Sequence, residues 1–153
     1  MSIRTALERL VDLIEMADTD GGTLLQANDD DHGMPPMLGV LPEGPGRAFE
    51  LSPGSAEDGG EGGCIPARVR LTVRLRVRYR MAGSRLDRLT RMDSDWQAIR
   101  DATMFAPGQW QTVTSTISYI GLGGYTVEAI ISPGQTVPTH EVMAADFIVE
   151  VEP

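Results

Sequence analysis

Between Arg68 and Arg80 apolar residues alternate with cationic ones. Val69, Leu71, Val73, Leu75, Val77 and Tyr79 take the odd positions; Arg68, Arg70, Thr72, Arg74, Arg76, Arg78 and Arg80 take the even ones. A strand sends successive side chains to opposite faces, so this run predicts one long strand with an apolar face and a cationic face. The apolar face requires a covering layer. At about 3.3 Å per residue the run spans roughly 40 Å. That is long for a chain of 153 residues and predicts that one end projects beyond the body. On the cationic face, side chains two apart stand about 6.6 Å from each other, so like charges repel along the strand. Acids on neighbouring strands of the same sheet, Glu128, Asp146, Glu150 or Glu152, would offset that. An acidic surface on another subunit would do the same, and so would DNA crossing a channel.

The rest of the chain predicts what surrounds this strand. From Ser2 to Ala17, Ile3, Leu7, Leu10, Val11 and Ile14 recur at helical spacing, with Ser2 as a cap and Gly21–Gly22 beyond the end. A polar stretch follows to Gly46, in which Met37 to Leu41 reads as a brief strand; Arg47 to Leu51 is a better strand. Ser52 to Pro66 is almost all Gly, Ser, Pro and acid and reads as a mobile surface loop. Ser84 to Met104 is predicted as a second helix. Ser84 and Asp87 have capping-box spacing, and Leu86, Leu89, Met92, Trp96, Ile99 and Thr103 lie along one face. Gln111 to Ile120 and Tyr125 to Ile131 read as a hairpin turning at Gly121–Gly124, and Asp146 to Glu152 as a closing strand. The expected fold is α+β: a mixed or antiparallel sheet of about four to six strands, two main helices packed on it, and long mobile loops at 18–46 and 52–66. The expected core includes Leu7, Leu10, Ile14, Val73, Leu75, Val77, Leu89, Trp96 and Ile99.

Composition bounds the function. A chain of 153 residues is most simply one domain, 1–153, large enough to bury a core without a disulfide or metal. Hydrophobic residues make up 41% and aromatics only 5%, so that core is aliphatic. All thirteen basic residues are arginine, and the net charge of −9 argues against a free-standing nucleic-acid binder. The first sixteen residues carry scattered charges and no continuous apolar run, so they read as neither a signal peptide nor a membrane span.

Candidate chemistry is sparse. Asp29, Asp30, Asp31 and His32 lack the register of a calcium loop and read as solvated acid, as do Asp18 and Asp20. His32 and His140 both fall in predicted loops, without the further ligands a zinc site needs. Cys64, the single cysteine, has no histidine near it in sequence and reads as an inert thiol. Gly121-Leu-Gly-Gly124 lacks the Lys-Ser/Thr of a phosphate loop, and no Gly-x-Ser-x-Gly elbow is present. The expectation is a protein that is not an enzyme, with no cofactor and no metal.

The order of these elements resembles a known family. A helix begins almost at the first residue (Ser2 to Ala17), and a glycine- and acid-rich loop (Ser52 to Pro66) leads into a long amphipathic strand (Arg68 to Arg80). A central helix (Ser84 to Met104) precedes a β-rich end closing on Ala145-Asp-Phe-Ile-Val-Glu-Val151. This looks like the tail terminator, or tail completion, proteins of long-tailed bacteriophages and related prophage or gene-transfer particles. The resemblance covers nearly the whole chain but is one of layout and size, with no short diagnostic motif. It implies an α+β fold with helices against one sheet, and a ring of identical subunits, commonly a hexamer. That ring caps the tail tube, ends its polymerisation and offers a surface for head-tail joining. The implied partners are other copies of the chain, a tail-tube protein and a neck or connector protein, with DNA only passing through the lumen and no membrane. The implied location is the virion tail or neck, with the host cytoplasm during assembly. No catalytic residue carries over. The candidate interface residues are Arg68, Arg70, Arg74, Arg76, Arg78, Arg80, Glu150 and Glu152. Two other readings are a different head-tail connector, such as a neck or stopper protein, and a cellular binding module using its Arg-lined sheet face.

Overall fold

The structure, a computed structural model, describes residues 3–19, 25–26, 47–58, 69–81, 83–104, 117–131, 134–138 and 140–151. Two helices, α1 (Ile3–Glu15) and α2 (Arg85–Met104), accompany strands β1 (Leu25–Gln26), β2 (Arg47–Asp58), β3 (Val69–Arg80), β4 (Ile117–Ile130) and β5 (His140–Val151). The strands form one sheet in the order β1-β2-β3-β5-β4. β2, β3, β5 and β4 run antiparallel to their neighbours, and the two-residue β1 lies parallel to the start of β2. The fold is α+β, with both helices on one face of the sheet.

β3 is central because its apolar face is the most continuous in the chain. Leu71, Val73, Leu75, Val77 and Tyr79 are buried and meet Ala6, Leu10, Leu13 and Ile14 of α1 and Met92 and Ile99 of α2. Phe49 of β2 and Met143, Phe147 and Val149 of β5 complete the same layer. Leu7, Leu89 and Trp96 are partly buried against it. Ser84 caps α2 as its spacing predicts: the Asp87 backbone N–H donates to Ser84 Oγ at 3.1 Å.

Several expectations are corrected. Residues 52–58 belong to β2, not to a loop: Ser52 pairs with Arg74, and Ala56 to Asp58 pair with Leu71 to Val69 across an irregularity at 53–56. That bulge lets a Gly- and Ser-rich segment stay in the ladder; at Gly54 a Cβ would sit 3.0 Å from the Thr72 carbonyl oxygen. β3 does not project, because every residue from Val69 to Arg80 pairs with β5. The predicted hairpin at Gly121–Gly124 is instead a single strand, with a register shift between Leu122 and Tyr125 absorbing the glycines. β5 begins at His140, so this histidine is a strand residue opposite Arg80 and not a loop residue. Leu86, expected on the buried face of α2, is 74% exposed in the first turn of that helix. Met37 to Leu41, Asp29 to His32, Cys64, residues 59–66 and residues 111–116 lie outside the described residues.

Candidate functional site

The face of the sheet opposite the helices carries the arginines of β3, and the register decides what each one meets. Arg70 lies opposite Glu150 of β5 and its Nη2 donates to Glu150 Oε1 at 2.8 Å. Arg74 lies opposite Asp146, with Nε 3.3 Å from Oδ1. Arg76 lies opposite Glu50 of β2, with Nη1 3.4 Å from Oε1. Acids therefore flank the stripe from both sides. The repulsion along β3 is offset within the sheet, as cross-strand pairing requires. Glu128 is not one of these partners: it sits on β4, opposite Val142 of β5 and one strand removed from β3. Arg68 and the Glu152 side chain lie outside the described residues.

Arg78 breaks the pattern. Its neighbours across the register are Ala48 and Val142, both fully buried, and Arg78 itself is only 3% exposed. Its Nη1 is buried without a hydrogen-bond partner. Burial lowers the guanidinium below its ordinary range, and the charge of Glu50 works in the opposite direction. His140 is pushed down as well, first by burial and then by Arg78 and Arg80. Arg80, opposite His140, is exposed. Arg78 and Arg80 thus concentrate positive charge at the end of the sheet where β3 finishes and β5 begins, and they disfavour the protonated form of His140 there.

Two polar clusters on the helix-covered face escaped the sequence reading. Arg88 of α2 donates through Nε to Glu141 of β5 at 2.8 Å, with side-chain exposures of 10% and 5%, and through Nη1 to the Gly83 carbonyl at 2.9 Å. Tyr79 donates its hydroxyl to the fully buried Asp95 at 2.7 Å. Nearby, Tyr125 donates to Asp93 at 3.1 Å; its phenol is raised by burial first and by that bond second. Trp96 packs tilted on Tyr125 at 5.5 Å, and the Arg100 guanidinium lies 5.0 Å from the Trp96 ring centre. The signal for these pairs is a charged residue breaking an apolar pattern: Glu141 precedes Val142-Met143, and Asp95 precedes Trp96. Reading it requires knowing which strand faces which helix.

These clusters tie α2 to the sheet. Among the described residues no group of three or more His, Cys, Asp or Glu could hold a metal ion, and no helix is long and apolar enough to cross a membrane. The chain matches no protein-family model, and no curated protein matches it.

Proposed function

We propose that this chain is a structural subunit that assembles into a ring. In the reading its layout favours, that ring caps a phage-type tail tube, ends tail polymerisation and presents the surface for head-tail joining. The observation that supports it is the arrangement of α1 and α2 on one face of a sheet centred on the long strand β3, the α+β layout that the resemblance to tail terminators implies. The role is one of shape and contact, not of catalysis, in the virion tail or neck, with assembly in the host cytoplasm.

The ion-pair ladder on the face opposite the helices bears on how such a subunit would handle DNA. Arg70, Arg74 and Arg76 are each engaged by a carboxylate of the same sheet, and the chain as a whole is at −9. Phosphate contacts would have to break those pairs, so DNA in this reading passes through the lumen without being gripped. The test is to add the purified chain to a polymerising tail-tube protein and measure tube lengths by electron microscopy. Short tubes of uniform length, each ended by a ring, are expected. Tubes that grow unchecked and bind no chain would contradict the proposal.

A further inference from the structure

The exposed apolar residues of this protein are not scattered. Six large hydrophobic side chains are exposed among the described residues, and four of them fall at one end of the sheet. Met81 follows β3, Leu86 opens α2, Ile131 follows β4, and Val137, 62% exposed, lies in the connection from β4 to β5. The register places these segments together: Arg80 is opposite His140, and His140 is opposite Ile130. The Arg88–Glu141 pair holds the start of α2 at the same end. Arg80 and Arg85 are exposed beside them, with Asp87 the exposed acid of the α2 first turn. Exposed apolar side chains gathered at one end of a sheet beside arginine have the composition of an interface, not of a solvated surface.

A matching surface is on the same chain. α1 turns Glu8, Asp12 and Met16 outward at four-residue spacing, and Asp18 follows; all four are exposed, Met16 at 67%. This face carries Glu8, Asp12 and Asp18 against one cation, Arg9, around the apolar Met16, where the sheet end sets Arg80 and Arg85 against one acid, Asp87, beside its exposed apolar side chains. The two patches lie on different elements and share no residue. We propose that copies of this chain join head to tail, the sheet end bearing Leu86, Ile131 and Val137 seating against the α1 face around Met16 in the next copy. Two different patches that complement each other make a heterologous contact, which closes into a ring when the rotation per subunit permits. Charge complementarity fixes the register of the junction, and apolar contact supplies most of its stability. The inference rests on the ring reading and names the surfaces that build it.

The test uses two variants of the full chain and multi-angle light scattering. One carries Arg85→Glu with Val137→Asp at the sheet end; the other carries Asp12→Arg with Met16→Arg on α1. Every altered side chain is at the surface, and thermal melts of each variant check that it folds. Each variant alone is expected to be monomeric. Mixed in equal amounts they should form a dimer and nothing larger, because each retains one intact half of the junction. A mixture that stays monomeric overturns the pairing of these two patches. Variants that oligomerise like the parent chain overturn the patches while leaving the ring reading standing. A parent chain that is itself monomeric at every concentration overturns both.

Discussion

Arg88 and Glu141 are a buried ion pair, and neither half is replaceable alone. Removing one partner strands the other charge among apolar neighbours, which typically costs about 3–5 kcal/mol. Glu141→Ala is therefore expected to lower unfolding free energy by that order, measured by urea denaturation, whereas a double change of Arg88 and Glu141 to Met and Leu should cost far less. Arg78 is the opposite case. Its Nη1 is buried without a partner, a deficit worth about 1–3 kcal/mol for an unsatisfied group. Arg78→Met keeps the stem and removes the charge, so stability should be unchanged or raised; a loss above about 2 kcal/mol would contradict the account of this residue. His140 supplies the pH dependence. Its folded-state pKa lies below the ordinary 6.5 because of burial and the nearby Arg78 and Arg80. The unfolded chain then binds the proton first as pH falls, so His140 lowers stability as pH drops below about 6.5 and has no effect above it. His140→Asn should flatten that part of a stability-against-pH curve, measured by denaturant midpoint between neutral and mildly acidic pH.

At the scale of elements, β3 carries the fold. Its alternation was legible because one face is uniformly apolar and the other almost uniformly arginine, so neither periodicity nor polarity is ambiguous. The two helices were legible for the same reason, through the apolar stripes of Leu7, Leu10 and Ile14 and of Leu89, Met92, Trp96 and Ile99. What sequence alone did not reveal was how glycine-rich segments are used. Residues 52–58 and 121–124 carry the composition of turns. Both are strand, because β3 and β5 offer long ladders that bulges can follow across small residues. Hydrogen exchange tests this directly: amides paired across the β2–β3 and β4–β5 ladders should be protected beyond the levels of a surface loop. Free exchange across both 52–58 and 121–124 would restore the loop reading. The paired arginines were legible as a question and not as an answer, since the choice of Glu50 over Glu128 depends on strand order. These pairs contribute little individually. Arg74→Ala, whose partner Asp146 is exposed with it, should cost no more than about 1 kcal/mol. Leu75→Ala, on the buried face of the same strand, should cost about 2–5 kcal/mol.

At the scale of the molecule, the charge distribution separates the surfaces. The sheet face opposite the helices balances its arginines against Glu50, Asp146 and Glu150 within one chain. The β3–β5 end exposes apolar side chains beside Arg80 and Arg85, and α1 exposes Glu8 and Asp12 beside Met16. A chain at −9 repels its own copies at long range, and salt screens that repulsion together with the attraction between opposite patches. The candidate site that sequence reading placed on the arginine stripe is therefore divided in the structure. Arg70, Arg74, Arg76 and Glu150 act within the sheet, Arg78 is buried, and Arg80 stands at the end where the proposed junction forms. The central claim is that this subunit closes into a ring of its own copies. Native mass spectrometry of the purified chain measures that most directly. A single closed oligomer whose mass is a fixed multiple of 16.6 kDa is the result expected. A monomer across the accessible concentration range, with or without a tail-tube protein, would contradict it.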